Sequence, residues 1–88
     1  MSGSTERADS MLTYKLRGHD SGSTSYGYYP EDGPYFGTVV SDAATGDLIS
    51  RTLAPNDRHG VYLGHMVGKI ADMIVNGELS DHGMIAWG

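Results

Sequence analysis

Cysteine is absent from the 88 residues, which removes disulfide staples, thiolate nucleophiles and cysteine-ligated zinc or iron–sulfur sites together. The cytoplasm is the expected compartment on that ground. Positive charge is scarce as well. Six Lys and Arg against 11 Asp and Glu leave a formal net charge of −5, which repels a phosphate backbone and argues against nucleic acid as the main partner. No apolar run approaches the roughly 20 residues of a membrane span, and the first ten residues lack a basic-then-apolar signal pattern. A membrane is therefore not an expected partner. Length is short too: a chain of about 9.4 kDa holds one domain with a thin core, whose stability dimerisation would relieve.

What is present reads as alternating segments followed by one amphipathic stretch. Residues 1–10, polar apart from Met1 and Ala8, have nothing to bury and are expected to be a disordered tail, with a single domain over 11–88. From Met11, Leu12, Tyr14 and Leu16 alternate with Thr13, Lys15 and Arg17, the period of a half-buried strand. The run Gly18 to Ser25 is a cluster of turn formers, and the loop it opens is expected to continue through Tyr26, Tyr28, Tyr29 and Pro30 to a turn at Asp32-Gly33-Pro34. Tyr35 to Ser41 and Leu48 to Leu53 alternate again and are joined by Asp42 to Asp47, with Gly46 suited to close a hairpin. Pro55-Asn56-Asp57 supplies capping side chains for a helix over about 58–75, whose apolar stripe is Leu63, Met66, Val67, Ile70, Met73 and Ile74. Gly77 stops it. Met84 to Trp87 is a short apolar strand or docked tail. The resulting order is β-β-β-α-β, an α+β fold in which one helix packs across a small antiparallel sheet, with Val40, Leu48, Leu63, Val67, Ile70 and Ile74 at the junction.

The order of elements over residues 11–79, with Glu31-Asp32-Gly33-Pro34-Tyr35 leading into a strand, resembles the small antitoxin-type domains of the HicB class, which have a partial ribonuclease-H-like sheet and one helix. That family's Pro-Asp-Leu-Pro-Gly segment after the second strand and its acidic helix start are absent here. Neither function nor residues carry over, and no family is assigned.

Three constellations stand out. Tyr26, Tyr28, Tyr29, Tyr35 and Phe36 are interleaved with Gly and Ser, the composition of adaptable recognition surfaces. Tyr26, Tyr28, Tyr29 and Tyr35 are the candidate partner-binding residues. Gly60, Gly64 and Gly68 recur every fourth position, and each costs roughly 1 kcal/mol in a helix interior. A ridge packed closely on the protein's own sheet, or on a second copy in a homodimer, would account for that cost. His19, His59, His65 and His82 do not have metal-ligand spacing, since His59 and His65 are six apart and fall on different helix faces. Neither a metal nor a cofactor is expected. His19-Asp20-Ser21 has the residue types of a hydrolase triad, but sequence neighbours point apart and cannot form its relay. Glu31 and Asp32, adjacent in a turn, are expected to be solvated.

No nucleophile, base and oxyanion donor can be named together, the minimum for an enzyme. The expected function is a non-enzymatic protein-binding module, a regulator or inhibitor that occludes a partner's surface as antitoxins and phage-encoded anti-defence proteins do. The alternative is a small enzyme or ligand-binding domain using the Gly/Ser/His loop 18–25.

Overall fold

Alternation of apolar and polar side chains drives the first strand, β1 (Ser10–His19), with Leu12 and Tyr14 buried and Leu16 partly buried on one face. The protein is seen here in a computed structural model that describes residues 10–88. Of the expected N-terminal tail, Ser10 opens β1 and the remainder lies outside the described residues. β1 is flanked on both sides. It pairs antiparallel with β2 (Ser23–Pro30) and, along its other edge, with β5 (His82–Trp87). β3 (Gly37–Asp42) and β4 (Leu48–Thr52) complete a five-stranded antiparallel sheet of order β4-β3-β2-β1-β5. The 16-residue helix α1 (Val61–Asn76) crosses one face of the sheet, mainly over β1, β2 and β3.

β2 corrects the expectation of a loop through residues 18–33. Its Ser and Gly content reads as turn, yet Thr24, Tyr26 and Tyr28 alternate and pair with β1 on one side and β3 on the other. Central placement in a sheet overrides weak intrinsic preference. Only Asp20 to Gly22 remain as the turn between β1 and β2. The fold class is otherwise as read, with one strand more.

The β3–β4 hairpin closes as expected. The Asp42 carboxylate accepts the backbone N–H groups of Ala44 and Thr45 at 2.8 and 3.0 Å, and these donors hold its pKa below the usual carboxylate range. Register, however, turns Val39 inward opposite Tyr26 and leaves Val40 outward opposite Ser25. A slip of one residue exchanges faces completely, so Val40 is not part of the core. Leu48 sits beyond a bulge in β4 and is exposed. It does not pack under the helix either.

α1 starts at Val61 rather than Arg58 because Gly60 takes the left-handed conformation (φ 71°), which glycine adopts without a Cβ penalty. Asp57 then caps the helix from three residues upstream, as the Pro55-Asn56-Asp57 segment suggested. Its Oδ1 accepts the Tyr62 N–H at 3.2 Å and its Oδ2 the Leu63 N–H at 2.9 Å, satisfying two of the orphan donors of the first turn. Gly77 (φ 71°) ends the helix. The bonds Gly77 N–H to Ile74 O and Glu78 N–H to Met73 O make the paired C-terminal closure that a left-handed residue permits. Leu63, Met66, Ile70 and Met73 are buried on the sheet, with Val67 and Ile74 packed beside them.

Candidate interaction surface

The tyrosine cluster is divided by the pleat of β2. Tyr26 and Tyr28 point toward the helix and have no exposed surface. The Tyr26 ring meets Tyr14 edge-on at 5.6 Å, and its hydroxyl donates to the Ser80 carbonyl at 2.6 Å. Burial pushes its pKa up to about 12. The Tyr28 hydroxyl donates to Asp57 Oδ2 at 2.8 Å and accepts the Ala54 N–H at 2.9 Å; burial raises its pKa as well. Buried tyrosines need such partners, and these have them. Tyr26 and Tyr28 are therefore core residues and not, as expected from composition, part of a contact surface.

Tyr29 points the other way. It pairs with Thr13 on the face of the sheet that the helix leaves bare, and its ring lies 5.4 Å from that of Phe36, the residue just before β3. Phe36 is 41% exposed and neighbouring Tyr35 56%. Two cations lie against these rings. The Lys15 ammonium is 5.7 Å from the Tyr29 ring centre and the Arg17 guanidinium 5.2 Å from that of Phe36, both within the range of cation–π attraction. Arg17 reaches Phe36 across Gly27, where a Cβ would stand 3.2 Å from Arg17 Cδ. Thr13, Ser25, Thr38, Val40 and Met84 occupy the same face by register. The surface is mixed, with exposed aromatics and two basic groups.

A strained turn borders it. Glu31 and Asp32 both have positive φ, 55° and 56°, a conformation that costs non-glycine residues about 1–2 kcal/mol each. Their carboxylates offset the strain. Glu31 Oε2 accepts from the Tyr62 hydroxyl at 2.7 Å and from the Met11 N–H at 3.2 Å, and Asp32 Oδ1 accepts from Thr13 Oγ1 at 2.9 Å. The pair is engaged rather than merely solvated, and it ties the loop before Tyr35 and Phe36 to both β1 and α1.

The glycine ridge is not buried. Gly60 lies outside the helix, and a Cβ on Gly64 or Gly68 would meet nothing within 4 Å. Close packing of the ridge on the protein's own sheet is thus excluded, because these positions face away from β1 to β3. Nothing in the structure explains glycine at Gly64 and Gly68.

Of residues 18–25, only Asp20 to Gly22 form a turn, and the others belong to β1 and β2. The Asp20 carboxylate accepts the N–H groups of Gly22 and Ser23 at 2.8 and 2.9 Å, and these donors hold its pKa below the usual range. His19 Nδ1 lies 2.7 Å from Thr24 Oγ1. His65 stacks on Trp87 with ring centres 3.8 Å apart. Among the described residues no group of three or more His, Cys, Asp or Glu is placed to hold a metal ion. A cavity of about 140 Å³, lined by Lys69, Asp72, Met73, Asn76, Glu78 and Ser80, lies at the C-terminal end of the helix, away from the aromatic face. No helix among the described residues is long and apolar enough to cross a membrane.

Of the four candidate contact tyrosines, Tyr29 and Tyr35 reach the surface. The sequence reading missed Lys15 and Arg17, although the alternation that turns Leu12, Tyr14 and Leu16 inward also sends them outward. The same two-residue period, carried into β2, separates Tyr28 from Tyr29. Comparison of the chain with family models, curated proteins and solved structures gives no match.

Proposed function

We propose that this protein is a non-enzymatic protein-binding module, a regulator or inhibitor that works by covering a partner's surface with the helix-free face of its sheet. The observation that supports this reading most is the Tyr29–Phe36 pair with Lys15 and Arg17 against it. Tyrosine and arginine are enriched at binding hot spots because they desolvate large amphipathic groups against a partner. Work in the cytoplasm fits a chain without cysteine.

The test is affinity capture of a stoichiometric partner from the source cells, followed by affinity measurements on purified variants. Tyr29→Ala and Phe36→Ala should each weaken binding about 30-fold or more, the equivalent of roughly 2 kcal/mol. Val75→Ala, on the exposed side of the helix, should leave it unchanged. Normal binding by both aromatic variants would move the contact surface off this face. Capture of nucleic acid instead, with affinity falling steeply as salt rises, would replace the reading.

A further inference from the structure

We infer that the helix-free face docks an acidic amphipathic helix of the partner protein; this rests on the reading of that face as the contact surface. Two arguments carry it. The first is backbone chemistry. An extended segment laid on the face of a sheet leaves its own N–H and C=O groups without partners, whereas a helix satisfies them internally. Extended segments pair with sheet edges, here β4 and β5, and not with faces. A helix on the open face would give the sheet a second layer opposite α1, the arrangement in which both sheet faces are covered.

The second argument is charge complementarity. The chain carries a net charge of −5, yet Lys15 and Arg17 of β1 both emerge on this face. Their Cα atoms are two residues apart, with Arg17 in the bulge between Leu16 and Gly18, a separation of at most about 7 Å. Carboxylates one helical turn apart, at i and i+4, are spaced by about 6 Å and can therefore meet both cations at once. The guanidinium of Arg17 offers a planar fork to a carboxylate while its stem remains over Gly27 and its cation 5.2 Å from the Phe36 ring centre. Between the cations and around them, Tyr29, Phe36, Val40 and Met84 present the apolar ground for the partner helix's leucine stripe.

The probe is a synthetic helical peptide of about five turns with a leucine stripe flanked by glutamates at i and i+4. Its twin has lysine at every glutamate, and a single-stranded oligothymidylate serves as a third ligand. Each is titrated into isotope-labelled protein and followed by amide chemical shifts. The glutamate peptide should move the amides of Thr13, Gly27, Thr38 and Val40, leave those of Asp72 and Val75 in place, and bind at least about tenfold more tightly than the lysine twin. Arg17→Glu should abolish or invert that preference, with Arg17→Gln as the milder variant if the reversal perturbs folding. Equal affinity for the two peptides, no binding of the glutamate peptide, or shifts confined to the helix side would overturn the inference. So would tighter binding of the oligothymidylate to the same amides. The two readings fail separately: a captured partner that still depends on Phe36 while the glutamate peptide does not bind sinks the acidic helix and leaves the contact surface standing.

Discussion

Tyr28 and Tyr29 are neighbours in sequence, but the two faces of the sheet make opposite use of them. Under the helix, Tyr28 is buried with its hydroxyl held by Asp57 and Ala54. On the open face, Tyr29 shows its ring to a cation and to Phe36. Both sides hold tyrosine, and what differs is whether a polar tip has a fixed partner or a large ring has an open side. The covered face spends its tyrosines on stability. The open face, where truncation exposes little, is free to serve recognition.

The contrast breaks most visibly if the covering helix is loosened. Ile70→Ala, at a position with no exposed surface, should destabilise the domain by about 2–5 kcal/mol in denaturant unfolding. An unchanged midpoint would deny that the helix stripe seals the covered face. Next come two glycines on opposite faces. A Cβ at Gly37 would strike the Thr52 carbonyl, the Tyr28 ring and, at 2.6 Å, the Ala54 nitrogen; the clash is with backbone, so Gly37→Ala should cost about 1–3 kcal/mol or more. Gly27→Ala meets only the flexible Arg17 stem and should cost less. Equal melting temperatures for these two variants would erase the distinction between the faces.

Removing single hydroxyls sharpens it. Tyr28→Phe leaves Ala54 N–H and Asp57 each short of a bond and should cost about 1–3 kcal/mol, while Tyr29→Phe should change stability by under about 0.5 kcal/mol. Alkali probes the same asymmetry. Tyr26 is pushed from its ordinary 10.0 up to about 12 by burial, so the native state resists ionisation that the unfolded chain undergoes. The stability this confers is complete below pH 10 and falls as pH rises toward 12, which a series of denaturant midpoints would show; Tyr26→Phe should flatten the fall. The smallest effect belongs to the exposed helix side. Gly64→Ala adds a methyl to open space and should stabilise by about 0.5–1 kcal/mol. Loss of stability there would mean that the ridge has a contact.

Much of this architecture is legible in the residues. The alternation of Leu12, Tyr14 and Leu16, the Asp42–Gly46 turn, the Leu63–Ile74 stripe and the Gly77 stop each carry a local physical signal strong enough to stand alone. β2 does not. Ser, Gly and Tyr in alternation suit a loop and a strand equally, and its strand state comes from pairing with β1 and β3, which no pattern within β2 itself reports. The same limit explains the mistaken inward assignment of Val40, because Val39 and Val40 are equivalent until Tyr26 fixes the register. The proposed contact surface is half legible for a related reason. Tyr29 and Tyr35 could be named from residue type, whereas Lys15 and Arg17 acquire meaning only when Gly27 and Phe36 are set beside them across strands.

Asp57 has a bearing on how the domain comes apart. A 16-residue helix is marginal in isolation, and ordinarily its first turn frays independently of the remainder. Here the carboxylate that caps that turn is itself bound by Tyr28 from the middle of the sheet. Opening the helix start releases the sheet's buried hydroxyl, and opening the sheet frees the cap, so the two events are a single cooperative step. The amide of Leu63 should then exchange with solvent at the rate of global unfolding and not of local fraying, making the beginning of the helix among the last places in the protein to loosen.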